Sequence, residues 1–233
     1  MRPDDARVSA RRAGVFSRPA AARVLPFVVF MLMLAVQPLF DGRVDTRWIV
    51  AARGVLVAAA LALLWRSYVE LWDGARVRAG DVLLAIAAGV AVFAAWIAFD
   101  SGWGVMGTVG PGFDPRRPDG SLDPLLTALR IFGLVLVVPV MEELFWRSYV
   151  MRRIDAVEFL GRNPRDATAL AFGLSCALFA SEHAHWFAGL AAGAAYGALY
   201  MRSRNLWIPI LSHATTNGIL AAWILATRNW HLW

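Results

Sequence analysis

The stretch Val137-Val138-Pro139-Val140-Met141-Glu142-Glu143-Leu144-Phe145-Trp146-Arg147 lies inside an apolar run covering about 125–149. That run is long enough to cross a bilayer, which takes about 20 mainly apolar residues in helical form. Yet its second half carries two acids and a base. A charge at bilayer depth costs about 2.5–3.5 kcal/mol on insertion scales, so such groups usually face an internal cavity and serve a function. The stretch therefore predicts a membrane helix with a polar site on the side that faces its neighbours.

Six further apolar runs flank this one, at about 24–40, 48–65, 81–99, 168–183, 186–201 and 207–227. Together they predict an all-α, polytopic membrane helix bundle of about seven spans, within a range of six to eight. The 24–40 run could be read as a signal peptide. No small-x-small cleavage pattern follows it, and Pro38 and Asp41 flank its end, so it reads as a retained span. Residues 66–80 mix Tyr68, Leu71 and Trp72 with charges, as an interfacial helix does, and the Gly-, Pro- and Asp-rich 100–123 reads as an exposed loop. Of the 233 residues 59% are hydrophobic and only 17% charged, against about a quarter charged in soluble domains. No polar linker divides the chain. The expected layout is a basic cytoplasmic tail over 1–23 and one transmembrane domain over 24–233, with the functional core in 125–227.

All 23 basic residues are arginines, and the formal charge is +6. They cluster between apolar runs instead of forming one face, which argues for a membrane and against nucleic acid as the partner. With the N-terminus cytoplasmic, segments 2–23, 66–78, 152–165 and 202–204 place their arginines on one side. The other side holds only Arg43, Arg47, Arg116, Arg117 and Arg228. Cys176 is the sole cysteine, so no intramolecular disulfide forms.

Two more runs carry polar groups at depth: Phe179-Ala180-Ser181-Glu182-His183, and His213-Ala214-Thr215-Thr216-Asn217. Spacing sorts them. Glu143 and Arg147 are four apart with the acid first, the favourable order for an ion pair along one helix face. Glu142 is rotated about 100° from Glu143 and stays uncommitted. Phe179 with His183, and His213 with Asn217, share faces in the same way. A buried ion pair, a spare carboxylate, two imidazoles and an amide make the inventory of a hydrolytic site. Glu182 and His185 fall at a span end, where solvated positions are expected. Gly189, Gly193 and Gly197 form a four-residue stripe of the kind that lets helices approach closely.

These residues resemble the CAAX-protease and bacteriocin-processing (CPBP) family of intramembrane proteases, which includes the eukaryotic Ras-converting enzyme. The family pattern E-E-x-x-x-R, F-x-x-x-H, H-x-x-x-N is matched in order by Glu142-Glu143-x-x-x-Arg147, Phe179-x-x-x-His183 and His213-x-x-x-Asn217. The stretches VVPVMEELFWRSYVMR and GLAAGAAYGALYMRSRNLW look like a bacterial subgroup found alongside exosortase sorting systems, which places the chain in a bacterial inner membrane. The resemblance implies an endopeptidase of glutamate type acting on a membrane-embedded or lipidated protein. Glu142 and His183 would activate water, His213 and Asn217 would form the oxyanion hole, and Glu143, Arg147 and Phe179 would support them. It implies no cofactor.

Three alternatives stay open. Glu142, His183 and His213 could supply a zinc site with an open position, although no H-E-x-x-H signature is present. Cys176 and His183, seven apart, could pair on one helix face. A non-proteolytic membrane scaffold or transporter could use the same acids and histidines as a polar relay. Orientation has a direct check. A reporter fused after Trp233 is expected on the non-cytoplasmic side and one inserted at 162–165 in the cytoplasm. A cytoplasmic signal from the first would mean that the span count is wrong by one.

Overall fold

The computed structural model describes residues 17–107, 110 and 112–233. Among the described residues eight helices follow one another, short 3-10 turns aside: α1 Arg18–Val36, α2 Arg47–Leu63, α3 Val69–Trp72, α4 Ala79–Ala98, α5 Pro124–Asp155, α6 Ala169–Ser181, α7 Trp186–Ser203 and α8 Trp207–Thr227. No strand occurs among the described residues; a lone bridge joins Arg116 and Leu122. Four helical segments are long and apolar enough to cross a membrane: Arg18–Phe40, Ala79–Ala98, Pro124–Asp155 and Trp207–Thr227. The seven apolar runs all become helices, and α3 is a short extra one between the second and third.

Local signals set the helix ends. Ser17 accepts a hydrogen bond from the Ala20 amide, Asp123 from Leu125 and Leu126, and Thr168 from Ala171. Each satisfies amides that a helix start leaves without partners. Pro19 and Pro124 stand in the first turns they cap, where a missing N–H costs nothing. Inside α5 the helix widens to π-type turns at Phe132–Val137 and Glu143–Met151, on either side of Pro139. Proline removes one backbone donor and crowds the carbonyl four residues back, and single π turns in α-helices are frequent at functional sites. The two glutamates sit at the junction.

The first helix begins at Arg18, six residues before the apolar run suggests. The rest of the expected tail, with Arg2, Arg7, Arg11 and Arg12, lies outside the described residues. Arg23, expected in that tail, is 1% exposed. It donates from Nε to Glu70 Oε1 at 2.8 Å and from Nη1 to the Pro19 carbonyl at 2.7 Å. Ser148 bonds to the same glutamate, and Arg152 donates to Ser148 Oγ at 2.7 Å. Glu70 thus ties α1, α3 and α5 together at one end of the bundle.

That end also gathers the other arginine-rich turns. Asn205 Nδ2 donates to the Ala75 carbonyl at 2.6 Å, and Arg202 pairs with Asp81 at 3.4 Å. At the opposite end Arg47 donates to the carbonyls of Asp114 and Arg116. There the Asp114 carboxyl is held below the usual carboxylate range, chiefly by its hydrogen bond from Arg116. The charge asymmetry of the sequence is therefore an asymmetry between the two ends of the bundle.

Small residues bring the helices together. A Cβ on Gly193 would lie 3.2 Å from Cys176 Cα, and one on Gly197 would lie 2.9 Å from the Phe172 ring, so the glycine stripe of α7 packs directly on α6. Gly54 and Gly133 do the same between α2 and α5. Gly89 is the tightest of these contacts: its Cβ would stand 2.5 Å from the Ser212 carbonyl oxygen, next to His213. Adding a methyl there forces α4 and α8 apart, and overpacking of this kind costs about 1–3 kcal/mol. Gly89→Ala should lower the thermal unfolding temperature in detergent, while Gly80→Ala, where nothing lies within 4 Å, should not. Equal melting of the two would show that the α4–α8 contact is looser than this.

Candidate active site

Three helices deliver the polar groups to one cavity of about 270 Å³. From α5 comes Glu142, from the end of α6 His183, and from α8 His213 and Asn217; all four line it. Glu142 is 6% exposed, and its Oε2 has no hydrogen-bond partner among the described residues. A buried carboxylate oxygen without a hydrogen bond is costly.

Glu143 is fully buried and does two things at once. Its Oε2 lies 3.2 Å from Arg147 Nε, and its Oε1 lies 3.0 Å from His213 Nδ1. The spacing predicts the first contact; the second, between residues 70 apart in sequence, it does not. A carboxylate can only accept, so His213 carries its proton on Nδ1 and turns Nε2 towards Glu142, whose Oε2 is 4.0 Å away. The Tyr196 ring stacks on the imidazole at 4.8 Å. Tyr196 also donates to Thr216 Oγ1 at 2.8 Å, and Thr216 donates to the Gly89 carbonyl at 2.9 Å. Both the plane and the tautomer of His213 are set by neighbours.

His183 follows the same logic. Its Nδ1 lies 2.9 Å from the Phe179 carbonyl, an acceptor, so Nδ1 holds the proton and Nε2 keeps its lone pair. The Phe179 ring sits 4.8 Å from the imidazole, and the Arg147 guanidinium lies 4.8 Å from that ring's centroid. Phe179 therefore links the ion pair to the second histidine, a physical role for the aromatic position of the motif. Asn217 donates one amide hydrogen to the Leu134 carbonyl at 2.8 Å, where the π turn of α5 offers an acceptor. Its second amide hydrogen remains.

Other expectations need adjusting. His185, expected in solvent, is 6% exposed and packs beside Trp96 at 5.7 Å. Glu182, expected in solvent, is exposed; it also lines the cavity and accepts from Trp146 Nε1 at 3.0 Å. Cys176 is buried under Gly193 and does not line the cavity, which removes the thiol pairing with His183. Among the described residues no group of three His, Cys, Asp or Glu side chains converges to hold a metal ion. Glu142, His183 and His213 border one space. Arg53 and Arg130, both inside apolar runs, also line the cavity. A scan for any ionisable residue inside a span would have found them; attention to acids and histidines did not.

Residues 124–219 match a protein-family model described as Type II CAAX prenyl endopeptidase Rce1-like. The matched segment contains all seven residues named from the motifs. No curated protein and no solved structure matches the chain. The exosortase-associated subgroup is not part of that match.

Arg147 and Glu143 are both 0% exposed. Truncating one partner of a buried pair typically costs about 3–5 kcal/mol because the other charge is stranded. Arg147→Ala should therefore reduce folded yield and thermal stability together with activity. Wild-type stability of that variant would assign Arg147 to the chemistry itself.

Proposed function

We propose, from the match of residues 124–219 to the Rce1-like type II CAAX prenyl endopeptidase model, that this chain is a glutamate-type intramembrane endopeptidase. Its substrate is a membrane-embedded or lipidated protein. It works in a bacterial inner membrane with the N-terminus cytoplasmic, an orientation that rests on the arginine asymmetry. The observation that carries the reading is the Glu142 carboxyl, buried in the same cavity as both imidazoles with its Oε2 free of hydrogen bonds among the described residues.

Glu142 and the Nε2 lone pair of His183 hold a water between them. As the water oxygen bonds to the scissile carbonyl carbon, Glu142 takes its proton, a step that general bases typically accelerate about 100- to 10,000-fold. Negative charge gathers on the carbonyl oxygen, and the remaining Asn217 N–H and a protonated His213 Nε2 donate to it. Such donors are worth about 3–4 kcal/mol each. Glu142 then returns its proton to the amide nitrogen as the C–N bond breaks, leaving a carboxylic acid and an amine. Arg147 and Phe179 act through the groups they hold.

Glu142→Gln preserves shape and removes the base. With a fluorogenic membrane peptide, turnover should fall by about 100- to 10,000-fold while thermal stability is kept. Exhaustive chelation should leave the wild type active. Undiminished cleavage by the variant would remove Glu142 from the mechanism. Loss on chelation that added zinc restores would assign the water to a metal.

A further inference from the structure

Another polar space of about 270 Å³ opens at the arginine-rich end of the bundle and shares no lining residue with the main cavity. It lies between α3, the last turn of α5, the loop that follows α5 and the end of α7, and Arg152, Arg162, Arg204 and Tyr200 line it. Arg152 is 4% exposed. Its Nε and Nη2 donate to the carbonyl and the hydroxyl of Ser148, each at 2.7 Å, while Nη1 makes no hydrogen bond among the described residues. The carboxylate beside it is Glu70, 3.6 Å away, and Glu70 is already paired with Arg23. Arg23, Arg152 and Glu70 together therefore keep one positive charge in excess. Arg162 adds a second guanidinium: its Nη2 lies 3.6 Å from Asp155, but its buried Nε has no hydrogen-bond partner among the described residues. Arg204 adds a third. It forms no ion pair among the described residues and caps α7 in the left-handed conformation, at φ 56°, where glycine is the usual residue.

An excess charge in a poorly hydrated place is costly until an anion meets it. Three guanidiniums around one space suit a phosphate, whose oxygens accept their paired N–H donors. The acids on the same lining limit what enters. Asp73, which is exposed, joins Glu70 there, an arrangement that repels a polyphosphate and suits a phosphodiester carrying one negative charge. The rim is also partly apolar: Val69 and Trp72 of α3 are exposed, and Leu160 lines the space. Arginines beside an apolar edge, at the end of a membrane bundle, match a group that is both phosphate and hydrocarbon. We propose that this space binds the phosphodiester of one anionic phospholipid, seated on Arg152, Arg162 and Arg204. Through Arg152 the bound lipid joins the Glu70 cluster that holds α1 and α3 against α5, so it stabilises the fold at that end. The site needs no peptidase chemistry and stands apart from that reading.

The test titrates the full-length protein in a non-ionic detergent with three probes. Phosphatidylglycerol has both phosphate and chains, diacylglycerol has the chains alone, and glycerol 3-phosphate has the phosphate alone. Native mass spectrometry should retain one phosphatidylglycerol per protein, and the melting temperature should rise as it binds. Arg152 belongs to the buried cluster, so the two outer arginines carry the test. Arg162→Gln and Arg204→Gln should each weaken phosphatidylglycerol binding about tenfold, the range for a hydrogen bond to a charged group, and together should abolish the rise in melting temperature. Arg66→Gln, at an exposed position outside the lining, should change neither. Wild-type binding by the double variant would overturn the site, and so would equal retention of diacylglycerol. Arginine-dependent binding of glycerol 3-phosphate as tight as that of the lipid would overturn it in favour of a soluble phosphate ester.

Discussion

Glu143 is the group on which the rest of the site depends. It is fully buried, it is the counter-charge of Arg147, and it accepts the Nδ1 proton of His213. A carboxylate in a low-dielectric interior needs those partners, since the desolvation of an unpaired ion outweighs most packing gains. Once they are in place, α5 and α8 are locked in rotation and depth, and Nε2 of His213 turns towards Glu142. The neighbouring Glu142 lines the cavity instead. In the mechanism proposed above, adjacent glutamates divide into a structural one and a chemical one through position alone.

The packing around that centre serves the same end. Gly89 lets α4 press on α8 so that Thr216 reaches its carbonyl, and Thr216 in turn holds Tyr196 over the His213 ring. Phe179 carries the influence of Arg147 across to His183. At the arginine-rich end Glu70 gathers Arg23, Ser148 and Arg152, a second buried charge cluster that fixes α1 against the same helix. Both clusters lie on the stretch of α5 that leaves regular α-helical geometry after Pro139. A wider turn in the middle of a span offers donors and acceptors that a straight helix keeps to itself.

Much of this was legible in the amino-acid order. Apolar runs interrupted by Glu142, His183 and His213 announce membrane helices with a polar interior, and four-residue spacing foretells the Glu143–Arg147 pair. The glycine stripe of α7 is visible for the same reason. Contacts between distant segments are not. Nothing local says that Glu143 reaches His213, that Arg23 belongs to the core, or that Asn217 spends one hydrogen on Leu134. Those depend on helix rotation, which the π turns of α5 alter by amounts that a regular 3.6-residue period does not register. Arg53 and Arg130 were visible as letters but not as a pair, because α2 and α5 meet only through the approach of Gly54 to Gly133.

The dependence of the site on Glu143 can be measured by a double-mutant cycle on peptide cleavage with Glu143→Gln, His213→Asn and the double variant, taken alongside melting temperatures. If Glu143 acts by holding His213, each single change removes the same arrangement, and the double variant should be no slower than the slower single one. Rate losses that multiply through the cycle would mean that the two residues act independently, and the buried carboxylate would then not be what organises the site.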